Sequence, residues 1–237
     1  MLTPPGSPAA TLARHAFLTG APPEVLARLA GYARWFDADP DQTILDFEDA
    51  TTDVYFIVQG HVRVLIQTAS GERTQILGDF AAGDLVGEMA AIDGVARSAR
   101  IEALVRTQMC ALPARPFIDA VFGSREIGLR LMRLLTSRIR AQNRRLLEMT
   151  ALPIRLRLIA ELLRLSRPKP DGTRVLNPLP TQEELASRIG ARRETVSREI
   201  SGLTEAGLLH RTRAALVLHD PVALQAAVDA GLDQSRS

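Results

Sequence analysis

The sequence predicts an α+β chain built from an N-terminal β-roll, a long helix and a C-terminal winged helix-turn-helix unit. Three observations carry that prediction. Between residues 35 and 112, short β-favouring runs alternate with turn residues at near-regular spacing; from about 124 to 150 the apolar period changes from two to that of a helix; and beyond Pro180 two short helical patterns meet at a glycine. The expected divisions are 1–123 for the β-roll domain, 124–150 for a dimerisation helix and 151–237 for the helix-turn-helix domain. A chain of 237 residues is long enough for two cores of ordinary size.

Each element has its own signal. Pro22-Pro23-Glu24 places proline in the first turn of a helix, and Val25, Leu26, Leu29 and Ala30 give that helix an apolar face. The β segments fall at 43–47, 54–58, 62–68, 73–77, 99–104 and 107–112. Gln59-Gly60 and Ala82-Gly83-Asp84 mark corners, and Ala69-Ser70-Gly71-Glu72 reads as a hairpin connection. A short helical turn is expected to open near Gly87. Along the long helix Met132, Leu135, Ile139, Gln142, Leu146 and Met149 recur at steps of three and four, a heptad seam with one polar position. This narrow stripe, flanked by Arg138, Arg140, Arg144 and Arg145, predicts a parallel coiled-coil homodimer rather than a helix packed only on its own domain.

Pro153 ends or bends that helix, and another follows over Ile154–Leu165 with Leu158, Ile159, Leu162 and Leu163 on one face. Residues 167–172 read as a loop. Thr181 with Glu184 three residues on forms a capping box ahead of a helix over Gln182–Ile189. Gly190 breaks it, and a second helix runs from about Arg192 to Ala206. Segments 208–210 and 215–218, around Arg211-Thr212-Arg213, suggest a small β wing. Asp220-Pro221 then starts a short helix reaching about Ala230.

Composition narrows the chemistry. No apolar run approaches the roughly 18 residues of a membrane span, and the first residues lack a secretory pattern, so no membrane and a cytoplasmic location are expected. The single cysteine, Cys110, permits no internal disulfide and reads as core; four scattered histidines offer no metal spacing. A metal-dependent barrel enzyme would need several ligands converging, yet His61 is the one histidine between 35 and 112, so neither metal nor catalysis is expected. Residues 1–120 carry a charge balance of −6 and residues 121–237 one of +8. Basic charge gathered in the C-terminal half fits a nucleic-acid partner, although a charged helix face also serves solubility.

Two motifs remain. One is Gly87-Glu88, followed by Arg97-Ser98-Ala99, where a guanidinium and a hydroxyl suit a small anion. The other is Arg193-Glu194-Thr195-Val196-Ser197-Arg198, where Arg193 and Arg198 suit guanine O6 and N7 and Glu194 suits a cytosine amino group. With the Tyr55-Phe56-Ile57-Val58-Gln59-Gly60 strand and Gly83-Asp84, these motifs make residues 22–218 resemble the CRP/FNR family of bacterial transcription regulators, most like its cyclic-AMP receptor protein branch.

The resemblance implies a cyclic-nucleotide-binding β-roll in which Gly87, Glu88, Arg97, Ser98 and Ala99 hold the ligand. Arg97 would take the cyclic phosphate and Glu88 would accept from the ribose 2′-hydroxyl. At the base this chain departs from the best-known member of the family, because the adjacent Thr-Ser pair there corresponds to Gln142-Asn143 here. Both amides donate and accept, so cyclic AMP is the expected effector with cyclic GMP, another effector or none as alternatives. Gln142 also occupies the seam, where a polar residue fixes register without touching ligand. For DNA, the resemblance implies that Arg193, Glu194 and Arg198 read a TGTGA-like half-site while Thr181, Gln182 and Ser197 touch phosphates. A haem sensor using His61 would leave Arg97-Ser98 unexplained. RNA polymerase is an implied partner, and the ligand-driven hinge is expected near residues 150–153.

Overall fold

The computed structural model describes residues 6–67 and 74–234. They form two compact units, Met1–Ser137 and Arg138–Ser237. The hairpin connection expected at 69–72 lies outside the described residues.

In the first unit, helices α1 (Pro8–Arg14) and α2 (Pro23–Tyr32) precede eight strands: β1 (Arg34–Ala38), β2 (Thr43–Leu45), β3 (Val54–Gln59), β4 (His61–Gln67), β5 (Thr74–Ala81), β6 (Leu85–Val86), β7 (Arg100–Ala103) and β8 (Thr107–Leu112). Helix α3 (Glu88–Asp93) sits between β6 and β7, and α4 (Ala114–Gly123) follows β8. The strands build two antiparallel sheets, β1-β8-β3-β6 and β2-β7-β4-β5. In β3, Val54 and Phe56 enter the core beneath the helices while Tyr55 and Ile57 enter a second core between the sheets; in β8, Cys110 and Leu112 do the first and Met109 and Ala111 the second. Side chains alternate sides along a strand, so a strand buried on both faces reads as an unbroken apolar run. Cys110 is core, as its neighbours suggested.

Helix α5 (Arg125–Ala151) runs 27 residues, and Pro153 separates it from α6 (Ile154–Leu165). Strands β9 (Arg167–Pro168) and β10 (Arg174–Leu176) come next, then α7 (Gln182–Ile189), α8 (Arg193–Glu205), β11 (Leu209–Arg211), β12 (Leu216–Leu218) and α9 (Pro221–Gln234). The core of the second unit joins Leu158, Leu162, Leu185, Ile189, Val196, Leu203, Leu216 and Val228.

Three features depart from the sequence reading. Helix α1 was not expected, because its proline-rich start resembles a disordered end; Ser7 caps it and Leu12 anchors it in the core. Helix α4 was not expected between β8 and the long helix; an extended Ser124, which accepts from the Ile127 amide, separates it from α5. Part of the expected loop at 167–172 is strand, since β10 pairs with both β9 and the wing strand β12 to complete a four-stranded sheet, β11-β12-β10-β9. Among the described residues no helix is long and apolar enough to cross a membrane.

Candidate effector site and DNA-reading surface

The effector site starts from a backbone requirement. Gly87 sits at φ +82°, a left-handed conformation that side chains disfavour, and it is the residue from which α3 starts. A Cβ there would come within 2.8 Å of Arg97 Nη1 and 3.0 Å of the Asp53 carbonyl oxygen. Glycine is therefore needed twice, for the turn and for the guanidinium beside it.

Arg97 is 3% exposed. Its Nη1 donates to the Gly87 carbonyl at 2.8 Å, Nη2 to the Asp53 carbonyl at 2.8 Å and Nε to Thr51 Oγ1 at 3.1 Å, while the guanidinium carbon lies 5.7 Å from the centre of the Tyr55 ring. Its backbone is pinned as well, with its amide donating to the Asp49 carbonyl and its carbonyl accepting from Glu48. All three side-chain partners are neutral oxygens. The Asp53 carboxylate is taken by Arg34 in a short ion pair, and among the described residues no ion pair includes Arg97. Burial pulls the Arg97 pKa down, opposed by Tyr55, Asp53, Asp49 and Glu88, but a guanidinium remains charged. Three of its five N–H donors are engaged, so a held cation keeps donors for an anion.

Around it, Glu88 is buried at 3% exposure in the first turn of α3, and its charge acts on Arg97. Ser98 is exposed, its hydroxyl 3.8 Å from Met89 Sδ, and Ala99 is half-buried just before β7. The cassette residues Gly87, Glu88, Arg97, Ser98 and Ala99 thus gather at the junction of α3 and β7. Sequence reasoning missed Thr51, Asp53 and Tyr55, which form the seat of Arg97. The available signal was the polar run Asp49-Ala50-Thr51-Thr52-Asp53 immediately before a buried strand. Gln142 and Asn143 lie exposed on α5, within the second unit.

The second surface is built by α7, α8 and the wing. Thr181 Oγ1 accepts from the Glu184 amide at 3.1 Å while Glu184 Oε2 accepts from the Thr181 amide at 2.7 Å, so the expected capping box forms. The Thr181 hydroxyl proton is still available to a phosphate. Gly190, at φ +64°, ends α7 and turns the chain into α8. Val196, Ile200 and Leu203 hold α8 on the core. Arg193, Glu194 and Arg198 are exposed in its first two turns, and Gln182 and Ser197 are half-buried. Among the described residues Arg193, Glu194 and Arg198 enter no ion pair, so their polar ends are not taken up within the helix. Arg211 and Arg213 are exposed on and beside β11.

Comparison with known proteins finds a family for each half of the chain. The family model for a cyclic nucleotide-binding domain matches residues 36–123, and that for a Crp-like helix-turn-helix domain matches 156–227. The chain is 24% identical over 213 residues to the CRP-like cAMP-activated global transcriptional regulator of Mycobacterium tuberculosis, covering 88% of this chain and 94% of that one. It is 28% identical over 177 residues to the cAMP-activated global transcriptional regulator Vfr of Pseudomonas aeruginosa, covering 71% and 81%. Its fold is similar to that of the c-di-GMP responsive global regulator CLP of Xanthomonas campestris, with TM-score 0.70, 20% identity, and coverage of 83% of this chain and 98% of that one. With a cyclic nucleotide-binding domain and a Crp-like helix-turn-helix domain in this order, and regulators among the relatives it matches along most of its length, this chain belongs to the CRP/FNR family of ligand-responsive transcription regulators.

Proposed function

We propose that this chain is a homodimer that binds cyclic AMP and in that state reads a TGTGA-like inverted repeat. Gly87, Glu88, Arg97, Ser98 and Ala99 hold the ribose phosphate, and Gln142 and Asn143 meet the base. Arg193, Glu194 and Arg198 read bases while Thr181, Gln182 and Ser197 fix phosphates. The observation that carries the reading is the seat of Arg97. A buried cation bonded only to neutral oxygens is costly unless an anion completes it, and a cyclic phosphate supplies that charge with matching geometry. The two relatives named as cAMP-activated support cyclic AMP as the effector.

Cyclic GMP is the second reading, favoured by Gln142 and Asn143, whose amides complement either purine edge. Dimerisation is supported by the seam: Met132, Ile139 and Leu146 are 66%, 60% and 63% exposed in the single chain at heptad spacing. The dimer acts in the cytoplasm, and RNA polymerase is its further partner; the segment 167–174, which resembles the family's polymerase-contacting surface in position, forms the β9–β10 hairpin with exposed Lys169.

Calorimetry with cyclic AMP and cyclic GMP tests the effector. Saturable binding of one, lost in Arg97→Ala, is the expected result; heats unchanged by Arg97→Ala would remove the assignment. For the reader, Arg193→Ala should lose about 1–3 kcal/mol of discrimination at one guanine. An equal loss across all sequences would instead make Arg193 a phosphate contact.

A further inference from the structure

Arg97 is a cation in acidic surroundings. A site for an anion needs that charge undischarged, yet Asp53, Asp49 and Glu88 all act on the guanidinium. The Asp49 carboxylate is engaged in its own turn, with Oδ2 accepting from the Asp46 amide at 3.1 Å, and Glu88 is held in the first turn of α3. Asp53 stands differently. Its carbonyl oxygen accepts from Arg97 Nη2 at 2.8 Å, so its side chain leaves the backbone beside the guanidinium. A carboxylate turned onto Arg97 would form the same charge-assisted contact that a cyclic phosphate forms, and ligand would have to displace it.

The sheet supplies the counter-charge from two strands away. Residues directly opposite one another in antiparallel strands project from the same face, and Arg34, Ala111, Tyr55 and Val86 form one such row across β1, β8, β3 and β6. Tyr55, Ala111 and Val86 enter the core between the sheets. Arg34, at the end of the edge strand β1, is about 10 Å from Tyr55 at the usual strand spacing. Ala111 between them carries only a methyl group, which leaves the long arginine side chain a path to Asp53, two residues before Tyr55. There Arg34 Nη2 pairs with Asp53 Oδ2, and among the described residues the Arg34 side chain pairs with nothing else. The Arg34 side chain is 59% exposed and that of Asp53 20%, so the pair contributes little to stability.

We propose that Arg34 is a positioning residue of the effector site: by holding the Asp53 carboxylate it keeps Arg97 free of an internal counter-ion, so that the anion completing Arg97 comes from the ligand. The role in binding rests on the proposed function, since it takes the cyclic phosphate to sit at Arg97. Without Arg34 the carboxylate turns to the cation that its own backbone already touches. Arg97 is then satisfied from within the chain, and a bound phosphate gains only the difference between two anions on the same guanidinium. Arg34 acts on the ligand only through Asp53.

The test is a double-mutant cycle on the full chain, titrated by calorimetry with whichever of cyclic AMP and cyclic GMP the wild type binds. Arg34→Ala should weaken that binding about tenfold, and Asp53→Asn added to it should recover most of the loss. The gain from Asp53→Asn should be at least about fivefold larger in the Arg34→Ala background than in the wild type, because only there is the carboxylate released. Arg34 acting merely as one more positive charge at a distance gives equal gains in both backgrounds. Equal gains, or unchanged binding by Arg34→Ala, overturn the inference. Ligand-free crystals of Arg34→Ala decide the same point without nucleotide: the Asp53 carboxylate should lie within hydrogen-bond distance of an Arg97 nitrogen, and a carboxylate still turned away overturns the inference. Wild type that binds neither nucleotide would instead remove the proposed effector, and those crystals would then decide alone.

Discussion

Arg97 concentrates the chemistry of the first unit in one side chain. Its three bonds to neutral oxygens hold the guanidinium in place without neutralising it, and the neighbouring carboxylate of Asp53 is diverted to Arg34. Arg97→Ala should therefore weaken nucleotide binding by about 2–5 kcal/mol in calorimetry while retaining the fold, since its side chain bonds only neutral oxygens. Loss of folding would mean the charge serves structure first. His15 makes the opposite case, a residue whose role was invisible in sequence. It is buried, its Nδ1 accepts from the Phe17 amide and its Nε2 donates to the Asp84 carbonyl, so the neutral ring is the form held. Burial lowers its pKa below 6.5, against the opposing pull of the Asp84 carbonyl and charge. The unfolded chain then binds the extra proton first, so the stability His15 contributes is complete above about pH 6.5 and is lost as pH falls through the depressed folded value. Thermal melts from about pH 7 to about pH 5 should show a steeper decline in the wild type than in His15→Gln. Parallel declines would remove His15 as the cause. The cassette was legible because Gly87, Glu88 and Arg97 through Ala99 are close in sequence; Thr51 and His15 were not, because their partners lie 46 and 69 residues away.

At the scale of elements, legibility followed local chemistry. Helices α6 and α7 fall where Pro153, the capping box and Gly190 place their ends. Strand β9 contains Arg167-Pro168 and carries no strand signal; it exists because β10 offers it a partner, and such pairing is a tertiary fact. The start of α5 fell where the change of period placed it, whereas the ten-residue α4 just before it carried no expectation. Helix α5 carries the sharpest element-level prediction. Ile139 is 60% exposed in the middle of the seam, so Ile139→Asp should convert a sedimenting dimer to monomer without unfolding it. A dimer that survives the substitution would assign this face another role.

For the whole molecule, the order of ligand site, long helix and reader was legible from motif order alone, and both family matches follow it. Only a difference in affinity between two arrangements shifts their balance, and that difference is reciprocal between the two ligands. Operator DNA must therefore tighten nucleotide binding by the same factor that nucleotide tightens operator binding.

The most direct measurement is the affinity of the purified protein for an inverted TGTGA repeat, followed by fluorescence anisotropy at fixed salt with and without saturating cyclic AMP or cyclic GMP. The account predicts that one nucleotide tightens binding by about 5–150-fold and that Arg97→Ala abolishes this gain. Equal operator affinity in the presence and absence of both nucleotides would contradict it.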